Sequence, residues 1–285
     1  MMKEIKTIVV CGAGTMGSGI AQVAAKAGFI TILFDQNEEV LNKAKLGLET
    51  QLTNLVQKGK LGVEEKDQIL NKLSYTHKAA MCKGDIIIEA IIEKIDSKIA
   101  LFNELATIND STTIFATNTS SISIDAIAEG LVNPTSLVGM HFFNPAPIMK
   151  LVEVIQGKQT DPGNIETVIQ LTKTMGKVPV LCKDAPGFIV NRVARHYYLE
   201  AMEMVSKGLI TVEAADELME AAGFKMGPFK LMDLIGMDIN YSVSNIVWEA
   251  LGKPERLTPS PLQKEKLSKG ELGKKTGKGF YSYNL

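Results

Sequence analysis

A short β-branched run at 7–11 passes directly into Gly12-Ala13-Gly14-Thr15-Met16-Gly17, and a helical pattern follows over 19–27. No other feature restricts the fold so tightly, because a strand, a glycine-rich turn and a helix N-terminus in that order make a cradle for phosphate. Gly12 permits the tight turn, Gly14 lets backbone approach a pyrophosphate, and Gly17 lets helix pack closely on strand. Ala13, Thr15 and Met16 complete the stretch that would face a nucleotide. The second apolar run, 30–35, ends on Asp35, 23 residues past Gly12. A carboxylate there accepts hydrogen bonds from ribose hydroxyls. Gln36, Asn37, Glu38 and Glu39 include no cation to pair with a 2′-phosphate. The motif therefore predicts NAD as cofactor rather than NADP.

Apolar runs at 7–11, 30–35, 85–90, 113–118, 137–143, 151–155 and 178–182 alternate with helical patterns at 19–27, 38–55, 94–107 and 164–175. Several runs are apolar at every position, as strands covered on both faces must be. Such alternation predicts an α/β fold, a Rossmann-type doubly wound, mostly parallel sheet. Beyond Ala185-Pro186-Gly187 the strand signal ends, and helices are expected over 188–208, 211–222 and roughly 229–251. Thr211 is placed as an N-cap and Gly223 as a stop. The expected division is 1–184 as the nucleotide-binding domain and 185–285 as an all-helical C-terminal domain.

The 285 residues carry a formal net charge of −1, which argues against nucleic acid as the main partner. No stretch approaches the ~20 apolar residues of a membrane span, and the N-terminus has no signal-peptide pattern. A cytoplasmic protein is expected. Cys11, Cys82 and Cys182 are widely spaced beside apolar runs, and read as small buried hydrophobes rather than a disulfide or zinc framework. No group of His, Asp or Glu has metal-ligand spacing, so no metal is expected.

Of the three histidines, His77 sits in a polar stretch and His196 on a helix, whereas His141 closes an apolar strand. Ligands meet doubly wound sheets at strand C-termini. Glu153 interrupts Leu151-Val-Glu-Val-Ile155, which otherwise reads as a buried strand. An unpaired buried carboxylate costs several kcal/mol, so a partner is required. His141, on the preceding strand, is the candidate. A carboxylate on one ring nitrogen fixes the tautomer and leaves the other for proton transfer. The alternative is a strand-edge glutamate facing water beside a structural histidine. Asn118-Thr-Ser-Ser121 sets amide and hydroxyl groups after another strand, and reads equally as a polar turn with an N-cap. Asn191 stands just past the domain boundary, where a side chain could reach back toward the first domain.

These segments resemble the 3-hydroxyacyl-CoA dehydrogenase family, in particular its short bacterial members acting on 3-hydroxybutyryl-CoA. The resemblance spans the whole chain. It is carried by Val10–Gly17, Thr-Asn-Thr-Ser-Ser at 117–121, His-Phe-Phe-Asn-Pro-Ala-Pro-Ile-Met-Lys-Leu-Val-Glu-Val-Ile at 141–155, Asp-Ala-Pro-Gly-Phe-Ile-Val-Asn-Arg at 184–192, and the tail Gly273–Tyr281. It implies that His141 and Glu153 are the catalytic pair, and that Ser120 and Asn191 bind substrate. It also implies that Asp35, Glu93, Lys98, Asn118, Ser120, Asn144 and Lys275 lie about the nucleotide. For coenzyme A the chain offers Lys58 and Lys60, of which Lys58 is the choice; Gln51, Thr53, Asn54 and Gln57 nearby carry no charge. The partners implied are an acyl-CoA substrate and a second copy of the chain, docked through the helical domain. Two rivals stand beside this reading. One is a β-hydroxyacid dehydrogenase using a free acid and a lysine; the other is a nucleotide-binding relative without turnover.

Overall fold

The computed structural model, which describes residues 3–284, gathers eight strands into one sheet. They are β1 (Thr7–Cys11), β2 (Ile30–Phe34), β3 (Leu73–Thr76), β4 (Ile86–Glu89), β5 (Ile114–Thr117), β6 (Leu137–Phe142), β7 (Leu151–Gln156) and β8 (Val178–Lys183). Their order is β3-β2-β1-β4-β5-β6-β7-β8. Every pairing is parallel except β6 with β7, which is antiparallel. The chain winds outward from β1 to β3 and then restarts at β4 on the other side of β1. The C-terminal ends of β1 and β4 therefore flank the point where the winding reverses, the place where doubly wound sheets bind ligands.

The connecting helices are α1 (Thr15–Lys26), α2 (Glu38–Gln57), α3 (Val63–Lys72), α4 (Ile95–Ala106), α5 (Ile124–Ala128) and α6 (Pro162–Thr174). Ile8, Val10, Ile86, Ile88, Ile114, Val138 and Val154 are fully buried between the layers. This covering explains why the central strands are apolar at consecutive positions. The sequence pattern does not foretell α3 or β3: α3 buries only Ile69, and β3 has no fully buried residue, so neither shows a strong period. β8 departs from expectation in the other direction. As an edge strand it leaves Val178 53% and Leu181 49% exposed. Cys182 on that strand is only half-buried, which corrects the reading of all three cysteines as buried; Cys11 and Cys82 are.

Chain contacts divide the molecule into two compact units, Met1–Asp184 and Ala185–Leu285. The second holds α7 (Val190–Ser206), α8 (Val212–Ala221), α9 (Pro228–Ile235), α10 (Met237–Ala250) and α11 (Pro261–Ser268), about a core that includes Met202, Phe229, Met232, Met237 and Val247. The Thr211 hydroxyl caps α8 by accepting from Ala214 N–H at 3.2 Å. The single helix expected over roughly 229–251 is two helices, because Gly236 adopts φ 100° and turns the chain between α9 and α10. The periodicity continues across the break, so pattern alone could not reveal it.

Gly139 explains how β6 sits between its neighbours. It pairs with Thr117 on one side and Ile155 on the other. A Cβ there would stand 2.7 Å from the Ile155 Cβ and 2.9 Å from the Ile124 Cδ1. Gly139→Ala is expected to destabilise the protein by about 1–3 kcal/mol through overpacking. A lowered urea midpoint at unchanged m-value would register it; an unchanged midpoint would show that Ile155 and Ile124 can yield.

Candidate active site

At Gly12 and Gly17 the glycine turn is packed too closely for a side chain. Gly12 adopts φ 99°, and a Cβ on it would lie 2.5 Å from Ala90 O; one on Gly17 would overlap Gly12 O. At Gly14 the same construction meets nothing within 4 Å, so the turn is open on the side where a phosphate would approach. Gly14 is also the N-cap of α1, and no side chain caps it. The first N–H groups of that helix are thus presented to a ligand rather than to a neighbouring side chain. Thr15 is exposed at this end, and Met16 half-buried.

Asp35 has a second task beyond the one its position suggested. Its Oδ2 accepts from Ala13 N–H at 2.8 Å, and its Oδ1 from Asn37 N–H at 2.9 Å. The carboxylate latches the glycine turn to the end of β2 while keeping lone pairs for ribose hydroxyls. An open phosphate turn, an uncapped helix end and a half-buried carboxylate at the second strand together fit a dinucleotide.

His141 and Glu153 are direct register partners across the antiparallel β6–β7 pair. Directly opposed residues project to the same face, and the His141 Nδ1 lies 2.7 Å from the Glu153 Oε2. Both are shielded, with 4% and 1% exposure respectively. The water-facing alternative for Glu153 is thereby set aside. The Phe143 ring packs on the imidazole with centroids 4.5 Å apart. This arrangement can hold one tautomer of His141 and direct proton traffic through the other ring nitrogen.

A second buried charge cluster adjoins the Asn118–Ser121 turn. The Lys98 Nζ, on α4, lies 2.6 Å from the Glu89 Oε1 and 3.1 Å from the Glu93 Oε2. Lys98 is 1% exposed and Glu89 fully buried, so each charge is tolerated only because the other is present. Glu89 also accepts from Ile91 N–H at 2.8 Å and from the Thr117 hydroxyl at 2.7 Å. The Glu93 Oε1 gathers the Thr119 hydroxyl, Ser120 N–H and the Ser121 hydroxyl at 2.5, 3.0 and 3.2 Å. The backbone that carries Ser120 is therefore clamped by an ion-paired carboxylate. Sequence reasoning placed Glu93 and Lys98 by resemblance and Thr119 within the polar Asn118–Ser121 turn, but missed Glu89. A glutamate closing the run Ile86-Ile-Ile-Glu89 was the available signal, being the same anomaly as Glu153.

The remaining candidates are more dispersed. Asn118 is half-buried at the end of β5, and Asn144 is exposed in the loop after β6. Lys58 ends α2, beside a shallow groove also lined by Lys43, Gly47, Thr50, Gln51 and Asn54. Asn191 and Lys275 belong to the second unit. Asn191 lies in the first turn of α7, where its carbonyl accepts from the Arg195 Nε at 3.1 Å. Lys275 is ion-paired with Asp238, its Nζ 2.6 Å from Oδ1. Among the described residues there is no group of three or more His, Cys, Asp or Glu able to hold a metal, and no helix is long and apolar enough to cross a membrane.

Two domain models of one family match the chain in succession: "3-hydroxyacyl-CoA dehydrogenase, NAD binding domain" over residues 7–185, and "3-hydroxyacyl-CoA dehydrogenase, C-terminal domain" over 187–283. Residues 7–185, which include the glycine turn and Asp35, thus make up an NAD-binding domain. The chain is 45% identical to the 3-hydroxyadipyl-CoA dehydrogenase of Escherichia coli K12 over 99% of its own length, while spanning 60% of that relative. It is 41% identical to a probable 3-hydroxybutyryl-CoA dehydrogenase of Bacillus subtilis, over 98% of both chains. Among solved structures, (S)-3-hydroxybutyryl-CoA dehydrogenase from Ralstonia eutropha superposes with a TM-score of 0.94 at 35% identity, over 99% of this chain and 100% of that one.

The Glu93 clamp has a pH signature. Burial by itself pushes the Glu93 carboxyl up, but the Lys98 ammonium and the bonds from Thr119, Lys98 and Ser120 outweigh it and hold the group below its ordinary value near 4.5. A carboxyl held down in the fold adds stability above pH 4.5 and loses it as pH falls through the folded value. Wild-type protein should therefore lose stability more steeply than Glu93→Gln as pH is lowered below that value, in urea midpoints followed against pH. Parallel slopes would mean that the clamp contributes nothing.

Proposed function

The chain belongs to the 3-hydroxyacyl-CoA dehydrogenase family, and on that premise we propose that it interconverts (S)-3-hydroxybutyryl-CoA and acetoacetyl-CoA with NAD(H), using His141 as acid/base and Glu153 as its partner. The observation that carries this reading is the shielded 2.7 Å contact between His141 and Glu153. Gly12, Ala13, Gly14, Thr15, Met16, Gly17 and Asp35 would hold the cofactor, with Glu93, Lys98, Asn118, Ser120, Asn144 and Lys275 assigned about it by resemblance. When bound, NAD supplies the acceptor for the hydride that leaves C3.

Glu153 on Nδ1 fixes the ring so that Nε2 takes the proton of the 3-hydroxyl as the carbonyl forms. The imidazolium so made is stabilised by the carboxylate beside it, in surroundings too dry to screen the pair. In reduction the imidazolium returns that proton to the developing alkoxide. Ser120, on the clamped turn, is assigned to the substrate oxygen, and Asn191 to the acyl thioester. For coenzyme A the support is the groove along α2, whose Lys43 and Lys58 offer amino groups to phosphate beside the amides of Gln51 and Asn54.

We assign the enzyme to the cytoplasm, whose reducing conditions suit its three free cysteines. We also assign it a homodimeric state. The helical unit leaves Leu209, Leu218 and Phe224 69%, 61% and 51% exposed, apolar area that a second copy would cover. Sedimentation should give twice the chain mass, and Leu218→Glu should lower it; a wild-type monomer at micromolar concentration would refute the assignment.

NADH oxidation should be fast with acetoacetyl-CoA and negligible with free acetoacetate, and slower with NADPH. A six-carbon dicarboxylic 3-ketoacyl thioester, assayed alongside, sets the acyl preference. His141→Gln is expected to lower kcat/KM about 10²–10⁴-fold while moving the Kd for NADH less than ~3-fold. Near-normal turnover in that variant would take His141 out of the reaction, and equal rates with the free acid would point to the β-hydroxyacid alternative.

A further inference from the structure

We infer that Asn118 is a positioning residue for His141, acting through its side-chain oxygen on the strand that carries the imidazole. This rests on the role proposed above for His141. Main-chain pairing between β5 and β6 runs through Phe115↔Leu137, Ala116↔Val138 and Thr117↔Gly139, and stops there. β6 continues through Met140, His141 and Phe142. The β5 register thus ends short of the residue that carries the imidazole.

Asn118 takes over that edge. Its Oδ1 accepts from Phe142 N–H at 2.8 Å, while its own N–H donates to the Glu89 carbonyl at 2.8 Å. The C-terminal ends of β4, β5 and β6 are laced together through this one residue. On the opposite edge β7 holds the same residues, pairing Met140↔Val154, His141↔Glu153 and Phe142↔Val152. The imidazole therefore stands on a strand tied at both edges. Phe142 is 2% exposed, so without an acceptor its N–H would be left unmade away from water. The strand end would have to shift to find another partner, carrying His141 with it. Neither alanine nor a shorter hydroxyl side chain can replace the bond.

The amide of Asn118 has two ends with separable chemistry. Positioning uses the oxygen acceptor, whereas a direct contact with cofactor or substrate through the amide nitrogen would use a donor. Asn118→Asp keeps an acceptor of the same shape and removes the donor; Asn118→Ala removes both. In the full-length protein, Asn118→Ala should lower kcat for acetoacetyl-CoA reduction about 10–100-fold, as expected when a catalytic group is displaced. Asn118→Asp should recover most of that rate. Backbone amide exchange at Phe142 should quicken in Asn118→Ala and stay slow in Asn118→Asp and wild type. Unchanged kcat in Asn118→Ala would overturn the inference, as would equal Phe142 exchange in all three proteins. An Asn118→Asp variant as slow as Asn118→Ala with weakened NADH binding would give the residue to the cofactor instead. Because Asn118→Asp conserves shape, it decides the matter even where alanine impairs folding. Wild-type protein inactive on every 3-ketoacyl thioester would refute the proposed function, while Phe142 exchange would still decide the positioning role.

Discussion

A carboxylate inside a strand, 1% exposed, has to be answered by another polar group, and Glu153 is answered by His141. Removing one partner from such a pair strands the other's polarity in a dry interior, at a cost of roughly 3–5 kcal/mol. Much of the local architecture follows from that demand. β7 runs antiparallel to β6, so the two residues face each other without offset. Gly139 brings β7 and α5 close to β6 just before the histidine. The loop joining the strands is pinned by Lys177, whose Nζ donates to the carbonyls of Ala146 and Met149.

The same logic repeats along the C-terminal edge of the sheet. Strand interiors there are largely apolar, and polar side chains gather where each strand ends. Asp35 latches the glycine turn at the end of β2, Glu89 anchors Lys98 at the end of β4, and Asn118 bridges onward to Phe142 from the end of β5. Each uses its charge or amide to fix a neighbouring element. Loops with unpaired N–H groups are the natural place for ligands, yet they are soft unless something holds them. A rigid sheet edge with polar clamps offers donors that need little reorganisation when charge develops.

The helical unit relies on two buried carboxylates for a different end. Asp216 accepts from Phe229 N–H, Lys230 N–H and the Tyr281 hydroxyl, and Asp233 from Phe280 N–H, Tyr281 N–H and the Tyr283 hydroxyl. They tie the glycine- and lysine-rich tail to α8 and α9, although the tail has almost no regular structure of its own. Gly279 lies so close against Asp233 that a Cβ would overlap its carboxylate. That packing accounts for a glycine in a segment that reads, by composition, as loose.

Much of this was legible in the chain alone. The strand–glycine–helix opening, the apolar alternation, and two ionisable residues out of place in apolar strands all express local chemistry, which repeats with a fixed period and is visible residue by residue. From it follow the nucleotide turn, the order of most strands and helices, and the need of Glu153 for a partner. The folded chain was required to show that His141 is its opposite number in register, that Lys98 is a buried counter-ion, that β8 is left at an edge, and that the helical pattern after 229 breaks at Gly236. These depend on which distant segments meet and at what offset. Periodicity says which face a residue occupies but not what lies across from it, and a partner 28 positions away, as Thr117 is from Glu89, is chosen by packing.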